Sequence, residues 1–149
     1  MVANSGATVQ AGGIFLPDLD GPQASFTFIL PRDYAKNTPI TILASYHSVD
    51  TDCTFVLQPG FVVHRRPGVP VDGTTSVFAP KNGSLIVDAT ADPTIPGQKS
   101  FALTPGGTLP TIRRGDQFFI SLLRNANSPD DTCTGLVILE AIEVRYTTP

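Results

Sequence analysis

The residues most suggestive of chemistry are two acid pairs, each set before a cysteine. Asp50 and Asp52 precede Cys53 in VDTDC, and Asp130 and Asp131 precede Cys133 in SPDDTC. If the cysteines are neighbours, the two acid pairs converge, and carboxylates are the ligands from which calcium builds its shell of roughly six to eight oxygens. The spacing is not that of an EF-hand loop. The simpler reading is that these aspartates accept hydrogen bonds from nearby backbone N–H groups and hold turns. No metal site and no cofactor are predicted.

Other catalytic arrangements are weaker. His47 and His64 are the two histidines, and neither stands in HExxH or another spaced ligand set. There is no GxSxG elbow for a serine nucleophile. Glu140 and Glu143 lie three apart on an expected strand, so they point to opposite faces and cannot form a glycosidase pair without a bulge. Pro105-Gly106-Gly107 lacks the lysine and helix of a phosphate cradle and reads as a turn. Arg114-Gly115-Asp116 spells RGD, a tripeptide that chance supplies easily. No catalytic residue is predicted, and the chain is read as not an enzyme.

The bulk properties narrow the class. The chain has 149 residues, a net charge of -3, only 15% charged residues, 14 Pro, 13 Gly and no Trp. Thr, Val, Phe and Pro in place of Ala, Leu, Glu and Lys favour strands joined by tight turns. The basic residues are scattered apart from Arg65-Arg66 and Arg113-Arg114, which excludes the continuous positive stripe that nucleic acid requires. No apolar run approaches the length of about 18 residues that crosses a bilayer, so no membrane partner is expected. The first residues, MVANSGATVQAGG, lack the basic end and apolar stretch of a secretory signal. That favours two reduced, partly buried thiols, with a Cys53–Cys133 disulfide as the alternative.

The elements that would carry these residues are strands. In ASFTFILP, Phe26, Phe28 and Leu30 share one face and Ser25, Thr27 and Ile29 the other, the period of two of a half-buried strand. PITILASYHS alternates in the same way, with Tyr46 and His47 on opposite faces. CTFVLQ and FVVHRR read as two strands broken at Pro59-Gly60. TTSVFA, SLIVDA and KSFALT are shorter, with Asn82-Gly83 as a turn. QFFISLLR is apolar on both faces and too short for a stable helix, so it is a central strand. In LVILEAIEVRY the alternation runs out of step around Glu140, which predicts a bulge or local irregularity there. Phe15, Phe55, Phe61 and Phe78 are core candidates. The whole predicts an all-β, antiparallel two-sheet β-sandwich of about 8–10 strands. Residues 1–16 are expected to be a flexible or partner-binding arm, and 17–149 a single sandwich domain. Within the arm, Ile14, Phe15 and Leu16 are the candidate docking run, able to add an edge strand to a neighbour.

Two blocks resemble small β-sandwich proteins of tailed-phage virions. One is LPRDYAKNTPITILASYHS. The other runs from Gly115-Asp116 through Arg124-Asn125-Ala126-Asn127 and Pro129-Asp130-Asp131-Thr132 to a last strand ending at Tyr146. Phe55 stands where such proteins often carry Trp. The resemblance implies a jelly-roll-like structural protein located in the virion, decorating a capsid or attached to a fibre. It implies a homo-oligomer, a trimer by preference, whose partner is a major capsid or fibre protein. It also implies that the loop of Arg124, Asn125, Asp130 and Asp131 is structural, with Arg124 paired to Asp130 or Asp131. The alternative is a carbohydrate-binding, lectin-like module, which predicts a concave sheet face with Tyr46 or Tyr146 exposed.

Overall fold

The computed structural model describes residues 2–4, 8–10, 13–64, 79–80, 85–103 and 113–149, of which 2–4, 8–10, 20, 61–62, 64 and 79–80 are described by backbone alone. The strands are β1 (Val2–Asn4), β2 (Thr8–Gln10), β3 (Gly13–Leu16), β4 (Asp20–Ile29), β5 (Ile40–Ser48), β6 (Thr54–His64), β7 (Ala79–Pro80), β8 (Leu85–Asp88), β9 (Gly97–Leu103), β10 (Gln117–Asn125) and β11 (Val137–Tyr146). No helix occurs among the described residues. One sheet has the order β1-β4-β10-β6-β7, with β8 also on β6; the other has the order β2-β3-β11-β5-β9. Every pairing is antiparallel. The chain crosses between sheets after β1, β3, β4, β5, β8, β9 and β10, giving a jelly-roll-like β-sandwich.

Alternation builds the core. Phe26, Leu30, Phe118, Ile120 and Leu122 from the first sheet meet Ile42, Ala44, Tyr46, Val137 and Leu139 from the second, all buried. Phe118 and Ile120 are 0% exposed, while Phe119, on the other face of β10, is partly covered. Phe55 is in the core, Phe15 is half-buried on an outer face, and Phe78 lies outside the described residues. So do Arg65-Arg66-Pro67, the Asn82-Gly83 turn, Pro105-Gly106-Gly107 and most of the strand expected at 74–79.

Three expectations are corrected. The docking role expected of Ile14, Phe15 and Leu16 does not hold within the described chain. They form β3, paired with β11 through Val137↔Leu16 and Leu139↔Ile14, and Ile14 and Leu16 are fully buried in this chain's own core. Gly13 makes that approach possible, because a Cβ there would meet the Leu139 carbonyl oxygen at 2.7 Å. Next, Pro59-Gly60 is not a turn. β6 runs through it in register with Leu122 and Ser121. Among the described residues, pairing to β8 ends at Leu57 and pairing to β7 begins at Gly60, so Pro59 falls between the two described pairings, where a strand tolerates a proline. Finally, the cysteines are not free thiols: Cys53 and Cys133 are joined by a disulfide.

The irregularity expected near Glu140 is a register shift between Leu139 and Ala141 in the β11–β5 pairing. It lets Leu139 and Ile142 both face inward, the only way an out-of-step pattern can bury both halves of the strand.

Candidate functional site

The register sets one end of the sandwich. β3, β5, β8 and β10 finish there and β4, β6, β9 and β11 begin there, which gathers the loops at 17–19, 49–53, 89–96 and 126–136. The disulfide ties the second of these loops to the fourth.

The brace beneath the loops is Arg124. It follows the inward parity of Phe118, Ile120 and Leu122, so alternation drives a guanidinium into the sandwich, where its side chain is 0% exposed. A buried charge is tolerable only with a partner and filled donors. Asp131, equally buried, receives Arg124 Nε at 3.1 Å and Nη2 at 2.9 Å in a two-point pair, the strongest geometry a carboxylate offers arginine. Nη1 donates to the carbonyls of Leu16 and Gly135 at 3.2 and 2.7 Å, and Nη2 also to the Cys133 carbonyl and to Asp18. Of the two partners expected for Arg124, Asp131 is the one used. The Asp130 carbonyl instead receives the Thr54 hydroxyl, and the Asn125 carbonyl receives Ser128 N–H.

The remaining loops are held in the same manner. Asp131 Oδ2 accepts Val56 N–H at 3.1 Å. Thr132 Oγ1 accepts Thr54 N–H at 2.9 Å, and Thr54 O accepts the N–H groups of Thr132 and Cys133. Asp50 Oδ2 accepts Gly135 N–H at 2.6 Å and the Thr134 hydroxyl. Only glycine permits that approach, since a Cβ at 135 would lie 2.8 Å from Asp50 Oδ1. Ser48 Oγ accepts Thr90 N–H and donates to the Asp50 carbonyl. Tyr46 donates its hydroxyl to the Asp88 carbonyl at 2.8 Å. Burial, then the charge of Asp88, pushes the Tyr46 phenol above its ordinary range.

Above this frame lies an open cleft of about 350 Å³, lined by Asp52, Cys53, Thr54, Asp88, Ala89, Ala91 and Thr132. Asp52 and Asp88 are both exposed, and Asp52 holds a left-handed backbone, φ 57°, a conformation that Asp tolerates better than most residues. No donor among the described residues engages either carboxylate. The two acid pairs are not gathered into one ligand set among the described residues. Asp50 and Asp131 are spent on the frame, and no group of three or more potential ligands occurs among the described residues.

Elsewhere, His47 Nδ1 lies 3.0 Å from Glu140 Oε1 on the outer face of the five-stranded sheet, close enough for an ion pair but without the alignment of a hydrogen bond. The bulge puts Glu140 on that face with Glu143, which is bound by Arg145 through two contacts. Asp116 is buried and accepts Arg113 N–H at 2.8 Å, so the RGD aspartate is turned to the chain's own backbone. Tyr46 is a core residue, contrary to the exposure expected of a sugar platform. Tyr146 is half-buried, tilted against Tyr34 and bonded to Asp33.

Sequence reasoning reached Arg124, Asp131 and the cysteines but missed Thr54, Asp88, Ala89, Ala91 and Thr132. Thr54 and Thr132 adjoin the two cysteines, so the disulfide alternative carried the signal for them. Nothing local marks Asp88 or the alanines.

No family model and no curated protein matches the chain. Similar solved structures include a family 35 carbohydrate binding module from an environmental isolate, with TM-score 0.51, 11% identity, and 99% of this chain and 83% of that chain covered. Two others are the CBM22-1 xylan-binding domain of Paenibacillus barcinonensis Xyn10C (TM-score 0.48, 15% identity, 99% and 86% covered) and the CBM6cm-2 module of Cellvibrio mixtus lichenase 5A in complex with cellotriose (0.43, 15%, 97% and 87%). The first establishes a shared β-sandwich fold; the other two fall below the level at which likeness supports an argument. That likeness is to a carbohydrate binding module, and the tailed-phage expectation gains no support from it.

Proposed function

We propose that this chain is a non-catalytic, carbohydrate-binding β-sandwich whose ligand sits in the cleft at the disulfide end. The observation that carries the reading is an open cleft whose wall combines hydroxyls and carboxylates on a cross-braced frame. Such groups match the paired donors and acceptors of sugar hydroxyls, and a site braced from below costs little ordering on binding. The fold likeness to a carbohydrate binding module over 99% of the chain supports it. With Tyr46 in the core, recognition rests on hydrogen bonds rather than on stacking against that ring.

The virion role rests on the resemblance of two sequence blocks alone, and the described part of the arm that would have served it supplies β1, β2 and β3 of the sandwich. Retardation of the intact chain in gels containing soluble polysaccharides tests the proposal. At least one polysaccharide should slow it, and Ala91→Phe, which fills the cleft from an exposed position, should abolish the effect. A chain that no glycan retards and that sediments as a trimer would overturn the reading in favour of a structural protein.

A further inference from the structure

We propose that the cleft selects glycans bearing a protonated amine, such as glucosamine-containing chains, over acidic glycans, with Asp52 and Asp88 as the specificity-determining residues. The inference rests on the reading of the cleft as a carbohydrate site and adds the charge of its ligand.

The argument begins with which acids the fold uses. At this end Asp131 and Asp18 serve Arg124, Asp50 caps Gly135, and Asp92 binds Thr94 N–H and its hydroxyl. The carboxylates of Asp52, Asp88 and Asp130 stay unengaged among the described residues, and of these Asp52 and Asp88 line the cleft. The described lining holds no Lys, Arg or His. Arg124 is enclosed by its own partners. Of the other described basic residues, Arg32, Lys36, Arg113 and Arg114 lie at the opposite end by register. Arg145 is paired with Glu143, and Lys99 lies in β9, outside the lining. Among the described residues, therefore, no cation compensates the negative charge of the cleft.

A divalent metal is a poor match, since calcium wants roughly six to eight oxygens and three ligating side chains do not meet at one point among the described residues. An ammonium group needs less: it carries three donors, and one or two carboxylates with a carbonyl or hydroxyl satisfy them. Thr54 and Thr132, beside the two carboxylates, offer hydroxyl oxygens to the same ligand. A uronate or sulfated sugar would instead set like charges together, and such repulsion is how sites reject close analogues.

Calorimetry of the intact chain with three oligosaccharides of equal length tests this at pH 6 and low salt: glucosamine, N-acetylglucosamine and galacturonic acid oligomers. The amine form should bind about tenfold tighter than the acetylated form, the size that two exposed charge contacts supply together, and the acidic form should not bind. Added salt should erode the preference. The double variant Asp52→Asn, Asp88→Asn should bring amine and acetylated forms within about twofold, while Glu143→Gln, remote from the cleft, should keep the preference. Equal or tighter binding of the acetylated or acidic form overturns the charge assignment and leaves the carbohydrate reading standing. So does a preference that survives the double variant. Binding of none of these, with no retardation by any polysaccharide, overturns both.

Discussion

In the described loops, the two ends of the sandwich turn the chain by different means. At the disulfide end the ties span long stretches of sequence: Thr54 to Thr132, Asp50 to Gly135, Arg124 to Leu16, Tyr46 to Asp88. At the opposite end most described side-chain bonds are local. Tyr34 donates to the Thr38 carbonyl, Thr38 to the Ala35 carbonyl, and Asp116 accepts from Arg113 N–H. The longer ties described there include Ala35 N–H to the Thr147 carbonyl, Arg114 to the Tyr34 carbonyl, Tyr146 to Asp33 and the pairing of Leu30 with Gly115 and Asp116. A loop held by its own turn can shift as a unit, whereas loops held by one another keep a common geometry. A binding cleft needs the second kind of support.

Variants can break this contrast. Arg124→Ala should cost the most, about 3–5 kcal/mol, because Asp131 would be left buried without its partner. Urea unfolding measures it, and the double variant Arg124→Met, Asp131→Leu should recover much of the loss. Replacing both cysteines by alanine opens a crosslink between residues 80 apart and should cost about 2–4 kcal/mol. The fold should persist, because Thr54 still holds Thr132 and the Cys133 backbone. Asp50→Ala should cost about 1–2 kcal/mol by orphaning Gly135 N–H.

Tyr46→Phe should cost about 1 kcal/mol at neutral pH through its bond to Asp88 and should also flatten the alkaline limb of the stability curve. The sign follows from linkage. The folded phenol titrates above the unfolded value of 10.0. Its contribution is therefore complete below that pH and lost as pH rises through the folded value. A wild-type curve that stays level above pH 10, followed by circular dichroism, would refute the assignment. At the other extreme, Glu143→Gln should leave unfolding unchanged within error, since it breaks only an exposed pair with Arg145.

Much of the fold was legible because alternation is a local property. Phe26 and Phe28, Ile40 and Ile42, and Phe118 and Ile120 declare their faces within a few residues, and the misstep at Glu140 announced its own bulge. The errors came where local chemistry was overruled. Pro59-Gly60 carries turn residues, yet β10 pairs straight across it. The run at 13–16 sits in a small, polar stretch, yet β11 had inward places for Ile14 and Leu16. Reduced thiols were favoured because the first residues lack a signal, an inference about a cell compartment that geometry outranked.

The amino-acid order alone therefore determined most of the strands, their faces and the need for two layers, since each follows from side chains two apart meeting either water or a core. Tertiary structure decided which loops share an end, which acids brace Arg124 and which remain free, and that Cys53 meets Cys133. Those outcomes join residues tens of positions apart, and only the register of the paired strands brings such residues within bonding distance.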